Sequence, residues 1–213
     1  MKKLAFFILL SLVTLGVSAQ SNLKWNVNAG IGMSNWYGDD TDGTDAKFAY
    51  KVGIGLEVPF ANTNIWSFQT GLNFISKGVK GDGVTDAWDV VDVTINQLYL
   101  ELPINVQFRS NIANNTNLVV ATGPYLACGV GGKAKFDGEA SIGNVGINAD
   151  EKIDTFGDDG LGYNRFDAGW NIGLGVEFGQ ILVGLDTQLG FCKIMDGNAP
   201  HNANIGITVG YKF

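Results

Sequence analysis

Long stretches in which apolar and polar residues alternate strictly are the feature that most constrains this 213-residue chain. In the clearest stretch, residues 98–109, every even position from Leu98 to Phe108 is apolar. A period of two gives a β-strand two unlike faces and does not fit a helix. Seven further stretches follow the pattern, namely 23–34, 48–60, 66–77, 118–130, 166–178, 181–191 and 203–213. The sequence therefore predicts eight strands, and most are longer than the roughly 9–11 residues that cross a bilayer at a tilt.

The apolar positions change from odd to even just before the stretch 98–109. The apolar residues Val91, Val93 and Ile95 occupy odd positions, whereas the apolar positions are even from Leu98 onward. A β-bulge near Asn96–Gln97 would restore the register. Alternatively, residues 91–95 form an extension of the strand that stands beyond a membrane. The sequence leaves both interpretations open.

The connections between the stretches alternate between long and short. In chain order they cover residues 35–46, 61–64, 78–90, 110–117, 135–164, 179–180 and 194–202. An up-and-down sheet brings the odd-numbered connections to one end and the even-numbered ones to the other. One end then carries long loops and the other short turns, as in transmembrane barrels of the outer membrane.

The polar face of the strands points to the inside of a narrow barrel. It is rich in glycine, which weakens an exposed strand and usually marks the close approach of other groups. An eight-stranded lumen is only wide enough for side chains, and charges buried there must be paired. We therefore predict a polar network in the lumen, formed by Lys51, Glu57, Glu101, Arg109, Arg165, Asp167, Glu177 and Asp186. Lys24, Lys77 and Lys212 share this face, but they can also lie in water at the strand ends.

The apolar face carries aromatic residues near both ends of the strands. Those near the short turns are Trp25, Phe60, Trp66, Phe68, Phe108, Phe178, Tyr211 and Phe213, and those near the long loops are Phe48, Tyr50, Phe74, Phe166 and Phe191. Two aromatic girdles that flank an aliphatic zone are typical of a lipid-facing surface. The sequence predicts an all-β, eight-stranded antiparallel up-and-down transmembrane β-barrel with short periplasmic turns and long extracellular loops. A soluble periplasmic carrier with an apolar cavity is the alternative fold of this pattern.

The N-terminus is typical of an export signal. Lys2 and Lys3 precede the apolar run 4–15 and the small residues that end at Ala19, so we predict a cleaved signal peptide over 1–19 and a single barrel domain over 20–213. The formal net charge of −7 argues against nucleic-acid binding, which needs a basic surface. Cys128 and Cys192 do not form a disulfide framework.

Three segments carry a resemblance to a known family. They are 99–104 (YLELPI), 123–127 (GPYLA), and 165–169 (RFDAG) with 173–178 (GLGVEF). With them the chain resembles the PorT-like, "porin family" small outer-membrane barrels of Bacteroidota-type Gram-negative bacteria, and its architecture is similar to that of OmpA- and OmpX-type eight-stranded barrels. The resemblance implies residence in the outer membrane. It also implies that the assembly machinery recognises the C-terminal strand, which ends at Phe213.

Catalytic and metal-binding patterns are weak in this sequence. The acidic run 39–45 lacks ligands that a calcium loop requires, and the only histidine, His201, has no nucleophile motif beside it in the sequence. We predict no catalytic, cofactor or metal site, and a non-enzymatic envelope scaffold in outer-membrane lipid whose loop 135–164 meets an extracellular ligand. A membrane-embedded hydrolase or acyl-modifying enzyme that uses His201 is the alternative.

Overall fold

The computed structural model describes residues 23–39, 41, 43–60, 65–84, 90–142, 145–157, 160–197 and 199–213. These residues form ten strands: β1 (Lys24–Tyr37), β2 (Thr44–Asp45), β3 (Lys47–Pro59), β4 (Trp66–Val84), β5 (Val90–Ala113), β6 (Thr116–Ile142), β7 (Val145–Asp154), β8 (Phe166–Phe178), β9 (Ile181–Lys193) and β10 (His201–Lys212). Within these ranges there is no helix long and apolar enough to cross a membrane. The predicted signal peptide, 1–19, lies outside the described residues.

Eight of these strands close into a ring. Each ring strand pairs antiparallel with the next one along the chain, in the order β1, β3, β4, β5, β6, β8, β9 and β10. Pairing of β1 with β10, from Asn26↔Lys212 to Tyr37↔His201, closes the ring. The short strands β2 and β7 lie outside it, paired with β4 and β6. The predicted eight-stranded up-and-down barrel is confirmed.

The two ends of the ring differ as the connection lengths predict. At one end, which we call the turn end, β5 and β6 are joined by Asn114 and Asn115, and β8 and β9 by Gly179 and Gln180. Asn115 and Gly179 have φ values of 58° and 60°, the left-handed conformation that tight turns require. The connection 61–64 lies outside the described residues. We call the opposite end the loop end.

At the loop end, two predicted loops are largely strand. The segment 78–90 continues β4 as far as Val84, and β5 begins at Val90. The segment 135–164 contains the end of β6 and all of β7, which pair from Lys133↔Asp154 to Ile142↔Val145. The strands continue because each extension finds a hydrogen-bonding partner beside it. Together, the ends of β4, β5 and β6 with β7 form a sheet that we call the loop-end sheet.

The phase change near residue 96 has a different cause from the predicted bulge. No register shift separates β4 from β5, and the odd positions of β5 remain buried from Ile95 to Arg109. A shift occurs between β5 and β6, where Leu98 pairs with Gly131 and Tyr99 with Gly129. The extra residue is therefore Val130 in β6. A bulge at Asn96–Gln97 is wrong, and the interpretation of 91–95 as a strand extension holds.

The inner face changes from polar to apolar toward the loop end. Buried apolar residues there form a cluster that we call the apolar plug, consisting of Ile75, Val79, Ile95, Tyr99, Tyr125, Ala127, Ala134, Phe156, Tyr163, Ile194 and Ala199. The ring of Phe156 packs edge-on against Tyr99, with 5.5 Å between centroids. Tyr163 packs in the same way against Trp36. Ile95 belongs to the plug and Val93 packs against it, which explains why both residues are apolar.

The outer surface of the ring is apolar. Leu100, Ile172 and Ile207 are 39, 50 and 53% exposed, and they lie on the outside of the barrel. A soluble carrier would direct such residues into a cavity, so that alternative is wrong. This outward apolar face is the surface that hydrocarbon would cover.

Glycine relieves crowding at only part of the inner face. A Cβ at Gly169 would lie 2.7 Å from ring atoms of Tyr125, and one at Gly55 would lie 2.6 Å from the amide group of Asn26. At Gly173, by contrast, a Cβ would meet nothing closer than 3.8 Å. Crowding therefore explains Gly55 and Gly169 and does not explain Gly173.

Candidate functional site

Four charged side chains form a cluster in the lumen near the turn end. Arg109 donates to both carboxylate oxygens of Glu57, with Nη1–Oε1 and Nη2–Oε2 distances of 2.8 and 3.0 Å. Its Nη2 also lies 3.2 Å from Glu177 Oε2. Lys212 Nζ lies 2.7 Å from Glu57 Oε2 and donates to Glu177 as well. We call this balanced set of two cations and two anions the turn-end cluster.

A second cluster lies closer to the loop end. Lys77, which is completely buried, places its Nζ 3.0 Å from Asp167 Oδ2 and 3.7 Å from Glu101 Oε2. The hydroxyl of Tyr125 donates to the same Asp167 oxygen over 3.1 Å, and Lys77 Nζ lies 4.0 Å from the centroid of the Tyr125 ring. Gln188 Nε2 donates to Glu101 Oε1 over 2.9 Å. This loop-end cluster contains one cation and two carboxylates.

A single ion pair lies between the two clusters. Lys51 Nζ and Asp186 Oδ2 are 2.9 Å apart, and Thr208 donates to the other carboxylate oxygen. A cavity of about 130 Å³ separates the clusters, lined by this pair and by polar side chains that include Asn28, Glu101 and Asn171. The turn-end cluster, the loop-end cluster and the apolar plug block any continuous passage along the axis.

Seven of the eight residues predicted for the lumen network lie in these contacts, and Arg165 does not. Arg165 is exposed at the loop end, where its Nη1 donates to the carbonyl oxygen of Gly129 over 3.0 Å and its guanidinium lies over the Phe156 ring. It precedes the first residue of β8, so the alternation of that strand does not bring its side chain into the lumen.

Two lysines that the sequence left open belong to the network. The sequence also allowed Lys77 and Lys212 to lie in water at the ends of the predicted strands. In the structure both are buried and contact carboxylates. The signal for them is the alternation of each strand, which places both lysines on the inner face. Asp92 is exposed, and Lys24 is partly exposed.

The loop-end sheet carries an ordered pattern of charge. Register places four aspartates in one row across its strands, in the order Asp82, Asp92, Asp137 and Asp150. Two positions closer to the barrel, the corresponding row contains Lys80, Thr94, Lys135 and Lys152. Directly opposed like charges destabilise a sheet, so folding alone does not favour this arrangement.

Strand β7 forms one edge of this sheet, and in the described part of the chain it pairs with β6 alone. Thr155 N donates to Gly132 O over 3.2 Å, in the same register as β6 and β7. Alternation along an antiparallel pair then directs the backbone groups of odd residues of β7 toward β6 and those of even residues away from it. Such an edge is a template for pairing with another chain.

His201 is the first residue of β10, not a residue of the preceding loop as predicted. Its ring lies beside that of Tyr37, with 5.5 Å between centroids, and the Tyr37 hydroxyl donates to Gly190 O over 2.6 Å. Burial raises the pKa of Tyr163, which lies in the connection between β7 and β8, to about 12. No group of three His, Cys, Asp or Glu side chains in the described residues is placed to hold a metal ion.

A closed eight-stranded ring with an apolar outer face and a charged, blocked lumen defines an integral membrane β-barrel. The chain belongs to the outer membrane protein β-barrel domain family, whose model matches residues 13–196. Membership of this family places the protein in the outer membrane. No curated protein sequence matches the chain.

Solved structures that are similar to this chain include two bacterial proteins. The attachment invasion locus protein Ail of Yersinia pestis is 16% identical over 90% of this chain and 99% of its own, with a TM-score of 0.43. Neisserial surface protein A is 9% identical over 89% of this chain and 97% of its own, also with a TM-score of 0.43.

Proposed function

We propose that this protein is a non-enzymatic outer-membrane barrel that acts as a rigid envelope scaffold and presents its loop-end sheet to a partner outside the cell. The observation that carries the proposal is the edge of β7, which is paired on one side within the described chain and stands on a barrel whose interior is packed. Function concentrates on segments held by rigid scaffolds. The partner surface that fits is an extended strand with positive charge opposite the aspartate row.

The blocked lumen supports a scaffold in preference to a pore. A pore would require the turn-end cluster to separate, which would break the contacts of Arg109 with Glu57 and Glu177. The enzymatic alternative has less support. The ring of Tyr37 lies beside that of His201, but its hydroxyl is already engaged with a backbone carbonyl, and a tyrosine hydroxyl is a poor nucleophile at neutral pH.

Four finer assignments belong to the same proposal. Residues 1–19 act as a cleaved export signal, and the strand that ends at Phe213 is the element read by the assembly machinery. The barrel's immediate partner is outer-membrane lipid. The chain belongs with the PorT-like barrels of Bacteroidota-type bacteria, which the segments 99–104 and 165–178 support.

Cysteine labelling in intact cells tests the orientation of the scaffold. In a background without Cys128 and Cys192, Lys135→Cys on the loop-end sheet should react with a membrane-impermeant maleimide. The matched control, Asn114→Cys in the short turn, should react only after the cells are permeabilised. The reverse pattern would contradict the proposal.

The role of the edge is tested by photo-crosslinking in growing cells. A photoreactive residue at Asn148, where the backbone faces the free edge, should give one discrete adduct, and the same residue at Asn114 should give none. Lys135→Glu, which adds negative charge beside the aspartate row, should strengthen the adduct. If Asn148 gives no discrete adduct in wild-type cells, the partner role is wrong.

A further inference from the structure

The cavity between the two charged clusters is short of hydrogen-bond donors. Four fully buried polar atoms line it and have no hydrogen-bond partner in the described part of the chain: Asn28 Oδ1, Glu101 Oε2, Asn171 Oδ1 and Gln188 Oε1. All four are oxygens, and each can only accept. Buried polar groups of native proteins are almost always satisfied, so the cavity needs an occupant that offers positive charge or donors.

The distribution of charge around the cavity also favours an occupant with positive charge. The turn-end cluster has two cations for two carboxylates, and Lys51 matches Asp186. In the loop-end cluster, Lys77 serves both Asp167 and Glu101, and it is closer to Asp167. Lys47, a further buried lysine, donates to the neutral oxygens of Phe48, Ser76 and Asn96. Glu101 also accepts a hydrogen bond from Asn73 Nδ2 over 3.3 Å, but among these carboxylates it has the longest cation contact, and it lines the cavity.

We propose that this cavity binds one monovalent metal cation, Na⁺ or K⁺, with Glu101 as its anionic ligand and the amide oxygens of Gln188 and Asn171 as neutral ligands. Gln188 Nε2 donates across the lumen to Glu101 Oε1 over 2.9 Å. Asn171 pairs directly with Gln188 in the adjacent strand. Amide-type oxygens replace the hydration shell of alkali cations in other proteins. The proposal is independent of what the loop-end sheet binds.

Size and charge select this class of ligand. The volume of about 130 Å³ accommodates a metal ion with a few water molecules. A divalent ion would find Glu101 as its anionic ligand, and the charge of that carboxylate is already partly compensated by Lys77 Nζ, 3.7 Å away. Water molecules alone could donate hydrogen bonds to these oxygens. Their own lone pairs, however, would find no donor among the four unpartnered atoms.

The test is the thermal stability of the purified full-length barrel in detergent at constant ionic strength. N-methylglucamine, which is too large for the cavity, is replaced stepwise by Na⁺ or K⁺. A cation that binds only the folded state must raise the unfolding temperature progressively with its concentration. Glu101→Gln should abolish this dependence. The control Asp196→Asn, which removes an exposed carboxylate from the connection between β9 and β10, should keep it.

A second measurement does not depend on the variants. Wild-type protein equilibrated with Na⁺ or K⁺ and then desalted into N-methylglucamine buffer should retain about one alkali ion per chain by elemental analysis, because the oxygen ligands are buried. An unfolding temperature that is the same in all cations would overturn the proposal and identify water as the occupant. An equal response of wild type, Glu101→Gln and Asp196→Asn would also overturn it, since it would reflect screening of the acidic surface.

Discussion

Removal of Arg109 should be among the most damaging single changes in the barrel. Its guanidinium makes a bidentate contact with Glu57 at 2.8 and 3.0 Å and a third contact with Glu177 at 3.2 Å. Only 7% of the Arg109 side chain is exposed, so solvent screens these contacts weakly. Arg109→Met leaves two buried carboxylates with Lys212 as their single cation. Breaking a buried pair in this way costs about 3–5 kcal/mol.

The double variant Arg109→Met/Glu57→Met separates the charge effect from the loss of packing. It restores balance, because Lys212 and Glu177 remain as one pair, and replacing a buried ion pair by apolar groups is often neutral. We therefore expect the double variant to recover most of the stability lost in Arg109→Met. Equilibrium urea unfolding in lipid vesicles, followed by tryptophan fluorescence, measures both free energies.

An exposed ion pair provides the control. Lys133 Nζ and Asp154 Oδ1 are 3.9 Å apart with side chains 60 and 68% exposed, so Lys133→Met should cost at most about 1 kcal/mol. The reasoning would be refuted if Arg109→Met cost no more than Lys133→Met. It would also be refuted if the double variant were less stable than Arg109→Met alone.

Three further changes test other parts of the structure. Leu174→Arg places a charge on the outer face near the middle of β8, where Leu174 is 53% exposed; it should lower the free energy of unfolding in vesicles by about 2–4 kcal/mol, and an unchanged value would contradict a lipid-facing position. Gly169→Ala should destabilise the barrel because its Cβ meets Tyr125 at 2.7 Å, whereas Gly173→Ala, with no neighbour closer than 3.8 Å, should be tolerated; equal gel-shift melting temperatures would argue against crowding. Phe156→Ala should speed amide hydrogen exchange over 155–163 with little change in barrel strands, and uniform exchange would show that the apolar plug is not a local unit.

The direction in which each side chain points, into the lumen or outward, was predictable from the sequence because it depends on the alternation along each strand. Leu100 and Glu101 are neighbours in one strand, so a single choice of which face points inward places both, and the glycine-rich polar face decided that choice. The same logic predicted that Glu57, Arg109 and Glu177 share one interior, although they come from three different strands. It could not say which of them touch.

The predictions failed where a strand leaves the regular barrel. The assignment of Arg165 to the lumen extended the period of β8 beyond its first residue, and the loop assignment of 78–90 overlooked that 78–84 pairs with the start of β5, the strand that follows it. The proposed bulge in β5 assumed that the inner face stays polar. Tyr99 and Ile95 point inward like Glu101, but there they meet the apolar plug instead of other charges.

The sequence by itself determined the number of strands, their two faces, the long and short ends, and the class of side chain that fills the interior, because each of these follows from residues close together along the chain. Closure of the ring decided which side chains of different strands contact one another. Arg109 meets Glu57 across 52 residues, and Gln188 meets Glu101 across 87. Lys77 is shared by two carboxylates only because strands distant in sequence face each other across the lumen. Such contacts depend on barrel diameter and on strand register, which no local pattern encodes.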